Sequence, residues 1–365
     1  MTSKALFIAP APGRPGQVYY PLTAQTLPVP TPSAHELLIK TTAVALNHRD
    51  VFLRQHLYPG VTFDVPLGAD GTGTVIAAGA LAQQHWIGKR VLLNPGTGWA
   101  ESPDGPEDAA GYRILGGTKG YRNGTMQEYM TIGEGEVEEV PGHLGDAEAG
   151  ALPLTGLTAW RALVVKGGER NSGVGASVLV TGIGGGVALM VLRFAVARGA
   201  DVYVTSSSEE KIRRAVELGA KGGVSYKEEG WEKKLLGLLP QGKTTAFDAV
   251  IDGAGGDSVD KAVRLLKPGG VLSVYGMTVA PQMPFSMKAV LKNIEVKGST
   301  MGSRKEFKEM VEFVGQHKIR PVISRVLQAE LDDLPAIDGL FQEMKDGKQF
   351  GKLVLELGKS TGSKL

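Results

Sequence analysis

Hydrophobic and polar positions change rhythm near residue 150 of the chain. Before it, apolar runs are short and broken by proline and glycine. Residues 4–8 and 36–45 read as strands, with Pro28, Pro30 and Pro32 between them. Residues 65–76 predict a strand entered through Gly68, Gly71 and Gly73, and residues 88–93 and 127–132 predict two more. Residues 94–124 are a long, polar, glycine-rich excursion. Short strands and turns of this kind build a partly open β-barrel.

Beyond residue 150 strands and helices alternate. The β-branched run Val178-Leu179-Val180-Thr181 passes through Gly182, Gly184, Gly185 and Gly186 into a helical stretch that stops at Arg198-Gly199-Ala200. Strands follow near 202–205, 223–226, 249–252, 271–276 and 294–298, with helices at 208–219, 231–239, 257–267 and 286–292. Six strands at this spacing predict βαβ units and a doubly wound parallel sheet. Residues 303–317 predict one more helix, and 351–357 a final strand.

Strand, glycine turn and helix are the setting of a dinucleotide fingerprint. Glycines let the backbone approach a pyrophosphate, and the first N–H groups of the helix hold its charge. The match is imperfect, since Val187 stands where the third small residue of G-x-G-x-x-G belongs. Its place as the first turn of a six-strand series carries the assignment. Gly237 to Thr244 also spell G-x-x-x-x-G-K-[ST], but a helical stretch precedes them and a strand follows. A phosphate loop needs the opposite order, so ATP binding is not expected.

At 365 residues the chain is long enough for two domains. A net charge of +2 implies neither nucleic acid nor an anionic membrane as partner. There is no cysteine, which excludes disulfides, thiolate zinc sites, iron–sulfur clusters and cysteine nucleophiles. No apolar run reaches membrane-spanning length, and the first residues do not read as a signal peptide. The sequence ends Ser363-Lys364-Leu365, a peroxisomal address read by an import receptor. The expectation is a peroxisomal protein, with a cytoplasmic location as the alternative.

Together these features resemble the medium-chain dehydrogenase/reductase superfamily, in its zinc-independent, quinone-oxidoreductase-like branch. The resemblance rests on Asn47-His48-Arg49-Asp50, Leu67-Gly68-Ala69-Asp70-Gly71-Thr72-Gly73 and Leu154-Thr155-Gly156-Leu157-Thr158-Ala159. It continues in the Gly182 to Val187 turn, Leu266-Lys267-Pro268-Gly269-Gly270, Lys297-Gly298-Ser299-Thr300-Met301-Gly302 and Gly351-Lys352-Leu353-Val354. It implies an α/β chain. A GroES-like, partly open β-barrel catalytic domain (1–150 and 302–365) joins a Rossmann doubly wound six-stranded parallel sheet (151–301). In the zinc alcohol dehydrogenases of the superfamily the first zinc cysteine corresponds to Asn47, the histidine-glutamate pair to Ala69-Asp70, and the second cysteine falls near Ala151. No metal site is expected here.

The resemblance assigns Asn47 and Tyr58, with Asp50 and Arg54 nearby, to catalysis. Asp50 and Arg54 also fit an ion pair on one helix face. The cofactor residues expected, in part from the resemblance, are Thr155, Gly182, Gly184, Gly185, Gly186, Val187, Ser206, Ser207, Lys211, Tyr226, Gly276, Ser299, Thr300 and Met301. An NAD enzyme usually carries an acid after its second strand. This chain has serines followed by Lys211, which suits the 2′-phosphate of NADPH. Helix capping is the competing reading, since Ser206 to Glu209 and Ser207 to Glu210 both fit S-x-x-E. The expected function is hydride transfer from NADPH to an enone, enoyl thioester or quinone, because spreading charge over such an acceptor needs no Lewis acid. The alternatives are an alcohol dehydrogenase or carbonyl reductase of the same superfamily, and a non-catalytic NADPH-binding protein. A homodimer through the edge strands, 271–276 or 294–298, is also implied.

Overall fold

The structure, a computed structural model, describes residues 1–240, 245–278 and 282–358. The first part of the chain forms β1 (Thr2–Ile8), β2 (Leu22–Pro28), β3 (Glu36–Ala45), α1 (His48–Arg54), β4 (Asp70–Ala78), β5 (Arg90–Leu93), β6 (Gly96–Thr97), β7 (Arg113–Ile114), β8 (Tyr129–Gly133), β9 (Val137–Glu139), α2 (Asp146–Ala151) and α3 (Pro153–Trp160). The middle part forms α4 (Glu169–Ser172), β10 (Ser177–Val180), α5 (Gly186–Ala197), β11 (Asp201–Ser206), α6 (Glu209–Glu217), β12 (Gly222–Ser225), α7 (Trp231–Leu236), β13 (Phe247–Asp252), α8 (Ser258–Leu265), β14 (Leu266–Val274), α9 (Met287–Leu291) and β15 (Glu295–Gly298). The last part forms α10 (Arg304–His317), β16 (Ile323–Ala329), α11 (Leu334–Lys345) and β17 (Lys352–Leu357). Two compact units result: Met1–Leu154 with Ser303–Leu365, and Thr155–Gly302.

In the first unit a sheet runs β16-β17-β3-β4-β5-β9, with β8 also on β3. β3 is its spine, pairing antiparallel with β4, β8 and β17. Register shifts in the β3–β4 pair, near Leu38 and Thr41, let the sheet coil as a barrel wall must. Gly73 of β4 is required there, because a Cβ would lie 2.3 Å from the Lys40 carbonyl oxygen. Leu6, Ile8, Val44, Leu46, Leu53, Phe341 and Leu353 form one buried cluster beneath this wall.

The second unit is a six-stranded sheet in the order β12-β11-β10-β13-β14-β15, every pair parallel. Numbered within the unit this is the 3-2-1-4-5-6 order of a doubly wound sheet. The order reverses between β10 and β13, so ligands are expected beyond the carboxyl ends of those strands. Leu179, Tyr203, Phe247, Val250 and Leu272 pack in its core.

The expected elements form, with shifted ends. The helix expected at 257–267 stops at Leu265, and β14 already begins at Leu266. Pro268 explains this, since its ring disfavours the helical region in Lys267 before it. β14 lies inside the sheet between β13 and β15, so residues 271–276 are not an edge; β15 and β12 are the edges. α7 ends at Leu236 with Gly237 as its cap. Gln241, Gly242, Lys243 and Thr244 of the ATP-like motif lie outside the described residues, as does Ser363-Lys364-Leu365. No helix among the described residues is long and apolar enough to cross a membrane.

Candidate functional site

In the first unit three strand ends converge. β3 ends at Ala45, opposite Asp70 at the start of β4 and Val354 near the start of β17. This register brings Asn47, Asp70 and Lys352 together. The Lys352 ammonium donates to Asn47 Oδ1 and to Asp70 Oδ2, each at 2.7 Å. Asn47 Nδ2 donates to Asp70 Oδ2 at 2.9 Å, and the Leu154 N–H donates to Asp70 Oδ1 at 2.6 Å. The Lys352 and Asp70 side chains are 4% and 0% exposed. Lys352 lies in the Gly351-Lys352-Leu353-Val354 motif, but sequence reasoning gave it no site role; a further signal was a lysine opening the otherwise apolar run Leu353-Val354-Leu355.

Asn47 is the N-cap of α1, yet its side chain makes no cap hydrogen bond. Asp50 supplies the reciprocal contact, accepting the Asn47 N–H on Oδ2 at 2.8 Å. Asp50 is wholly buried, and burial raises its carboxyl above the usual carboxylate range, against the pull of the Arg49 charge. Arg49 bonds Asp50 at 3.2 Å and the Gly116 carbonyl at 2.8 Å, and its guanidinium sits 4.8 Å from the Tyr58 ring centroid. Desolvation, and then the Lys352 charge, hold His48 below the usual histidine range. Thus Asn47, Asp50 and Tyr58 gather around Arg49 and Lys352.

Arg54 does not join them, and the expected Asp50–Arg54 pair does not form. Asp50 takes Arg49, while Arg54 pairs with Asp338 at 2.6 Å and donates to the Tyr20 carbonyl at 2.8 Å. Its guanidinium lies 4.0 Å from the Tyr19 ring and 4.8 Å from Phe341. The reason is directional: Asp50, in the first turn, faces the Asn47 N–H, while Arg54, in the last turn, reaches α11.

In the second unit Gly182 and Gly184 have φ of 61° and 126°, which L side chains rarely adopt. Gly185 is the N-cap of α5, and Gly186 and Val187 open its first turn. Cβ atoms at Gly182 and Gly185 would meet nothing within 4 Å, so the backbone there faces open space. At Gly184 a Cβ would lie 2.9 Å from Cδ of Lys211, whose stem therefore crosses the turn. Burial, and then the Arg214 charge, lower the Lys211 pKa from the ordinary lysine value.

Neither Ser206 nor Ser207 caps α6. The cap is Ser208, whose Oγ accepts the Lys211 N–H at 3.4 Å. β11 extends through Ser206, which moves the helix start beyond both S-x-x-E frames. Ser206 Oγ accepts the Ser208 N–H at 3.2 Å, and Ser207 is exposed. Tyr226 is 46% exposed, and its N–H donates to the Ser206 carbonyl at 3.0 Å. Gly276 follows β14, and Ser299 follows β15 with its N–H on the Val274 carbonyl. The buried Ser299 hydroxyl has no partner among the described residues. Thr300 is exposed, and Met301 holds an unusual φ of 42° with its sulfur 3.6 Å from Thr158 Oγ1. Thr155 is buried in α3. The open glycine turn and the orphaned Ser299 hydroxyl fit a bound dinucleotide.

A GroES-like sheet with a buried polar site, followed by a doubly wound sheet with this turn, defines a two-domain oxidoreductase fold. Residues 33–142 match the alcohol dehydrogenase GroES-like domain, and residues 186–316 match the zinc-binding dehydrogenase family. A zinc-type alcohol dehydrogenase-like protein of Leptosphaeria maculans is 51% identical over 358 residues, covering 96% of this chain and 99% of its own. An acryloyl-coenzyme A reductase of Sulfurisphaera tokodaii is 27% identical over 339 residues, covering 91% and 95%. The crystal structure of an NAD-dependent alcohol dehydrogenase superposes with a TM-score of 0.82 at 31% identity, covering 97% of this chain and all of its own. The chain belongs to the medium-chain dehydrogenase/reductase superfamily and is an oxidoreductase.

The zinc implied by these relatives does not suit the residues present. Asn47 and Asp70 both bond the Lys352 ammonium, and an amide with one carboxylate offers no thiolate or imidazole. No cluster of three or more His, Cys, Asp or Glu placed for a metal ion occurs among the described residues.

Proposed function

We propose that this protein is a zinc-independent, NADPH-dependent reductase of conjugated carbonyl compounds: enones, enoyl thioesters or quinones. The Asn47–Asp70–Lys352 network carries the reading, since it sets hydrogen-bond donors and an internal cation where zinc-type relatives are expected to hold metal. Bound NADPH would supply hydride to the β-carbon of the acceptor, leaving NADP+ and an enolate that takes its proton from solvent. As the hydride arrives, negative charge moves to the carbonyl oxygen, which hydrogen-bond donors can stabilise. Asn47 has a second Nδ2–H beyond the one given to Asp70, and the Tyr58 ring lies against Arg49, which pairs with Asp50. NADPH is favoured by Lys211 across the glycine turn and by serine, not an acid, at the end of β11. The acryloyl-coenzyme A reductase relative supports the thioester class.

NADPH oxidation with 2-cyclohexenone, crotonyl-CoA and quinones tests the reading. Turnover of at least one is expected. Silence across the panel, from folded protein whose melting temperature NADPH raises, would instead support a non-catalytic binder. The zinc-type and NAD-dependent alcohol dehydrogenase likenesses favour the runner-up, and metal analysis finding about one zinc per chain would install it. We further propose a peroxisomal location through Ser363-Lys364-Leu365, tested by imaging a fluorescent N-terminal fusion with and without that tripeptide.

A further inference from the structure

We infer that Lys352 is a positioning residue that holds the Asn47 amide out of its helix cap and fixed for substrate. The inference rests on the reductase reading above. An asparagine at an N-cap normally turns its side-chain oxygen onto the helix N–H groups, which stabilises the helix. Asn47 forgoes that contact. Its Oδ1 takes the Lys352 ammonium at 2.7 Å and its Nδ2 gives to Asp70 at 2.9 Å. The two ends of the amide are alike in shape and opposite in charge preference. A cation on one side and a carboxylate on the other leave it a single orientation. That orientation fixes the direction of the remaining Nδ2–H.

Structure alone gives little reason for a lysine at this position. A buried ion pair is often matched or bettered by apolar residues of similar volume. β17 is otherwise Leu353-Val354-Leu355-Glu356-Leu357, and Leu353 and Val354 are wholly buried. With methionine at 352, Oδ1 would lose its cation and the amide would swing to the vacant cap, the ordinary place for such a side chain.

The experiment combines Lys352→Met, Asn47→Ala, the double variant of both, and the charge-balanced pair Lys352→Met/Asp70→Asn. Enone or enoyl-CoA reduction is followed at saturating NADPH, with NADPH affinity measured separately. Lys352→Met is expected to lower kcat about 10- to 100-fold, as misplacing an orienting donor does, with NADPH affinity within about twofold. On the Asn47→Ala background the same change is expected to add less than about twofold, because residues acting as one unit are non-additive. The charge-balanced pair keeps the experiment readable where Lys352→Met alone folds poorly, and its kcat should stay low. Multiplicative losses, or wild-type kcat in that pair, would overturn the inference.

A second readout needs no turnover. In asparagine-15N-labelled protein the Asn47 side-chain NH2 protons should exchange slowly with solvent and lose that protection in the Lys352→Met variants. Unchanged protection overturns the positioning role. A wild-type protein that reduces nothing, beside Lys352→Met variants that show the predicted loss of protection, overturns the reductase reading alone.

Discussion

Replacing Lys211 by methionine removes the ammonium at the glycine turn and keeps the stem that lies against Gly184. A charge-assisted hydrogen bond contributes about 1.5–3 kcal/mol. Lys211 is only half-buried, so solvent screening brings this to about 1–2 kcal/mol. At 1.4 kcal/mol per factor of ten, the Kd for NADPH should rise about 5- to 30-fold. NADH lacks the 2′-phosphate, so its Kd should stay within about twofold. Fluorescence titration of reduced cofactor at low ionic strength reads both. The difference should shrink with salt, since the Debye length falls from about 30 Å at 0.01 M to about 3 Å at 1 M. The sign of the pH effect follows from the lowered Lys211 pKa. The charged form binds, so the NADPH advantage is present at neutral pH and fades on the alkaline side before the ordinary lysine value of 10.5. Equal losses for both cofactors would mean that methionine merely distorts the turn, and an unchanged NADPH Kd would remove Lys211 from the phosphate site.

Arg54→Leu should lower stability and spare chemistry. It orphans the Tyr20 carbonyl and removes the stack on Tyr19 and Phe341, a loss of about 2–4 kcal/mol. A melting temperature lower by several degrees with unchanged kcat at 25 °C is expected; lost kcat at unchanged melting temperature would return Arg54 to the catalytic set. Glu107 accepts the N–H groups of Ala100, Glu101 and Ser102, which lowers its pKa from 4.5 to about 2. Its stabilisation of that loop is therefore full above 4.5 and lost as pH falls through about 2. Hydrogen exchange at the three amides should quicken in Glu107→Gln at neutral pH, and equal rates in both proteins would discard the role. A homodimer through the β15 edge is proposed, because Met287 and Leu291 of the neighbouring α9 are 69% and 80% exposed. Leu291→Asp should then shift sedimentation from dimer to monomer, and a monomeric wild type would refute the proposal.

How much could be read from the chain differs between the units for a physical reason. Parallel strands buried on both faces carry continuous β-branched runs, so β10 and β11 stand out in the sequence. The six alternating strands and the glycine turn followed from that. α1 showed only in the i, i+4 spacing of Asp50 and Arg54, because its seven residues bury Arg49, Asp50 and Arg54 along with Val51 and Leu53. β16 is mostly exposed or half-exposed and carries little pattern, and β2 likewise. Ser206, Ser207 and Ser208 are chemically equivalent in the sequence. Only the length of β11 decides which one caps α6.

The candidate site was half legible for a related reason. Asn47 and Asp70 lie in short motifs, but the cation between them comes from the far end of the chain, through the pairing of β17 with β3. A lysine is so rarely buried that composition argues against placing it there. Contacts of its own charged residues explain how α1 tolerates an N-cap turned to other work. Asp50 covers the Asn47 N–H, Arg49 ties the helix start to Gly116, and Arg54 ties its end to Tyr20 and Asp338. Three charged residues, buried where a short helix would ordinarily bury leucines, offset the missing cap. Their placement frees the amide at the helix start for the Asp70–Lys352 pair. Stability of α1 and orientation of Asn47 are thus assigned to different residues, which is why Arg54 and Lys352 should separate so cleanly when each is replaced.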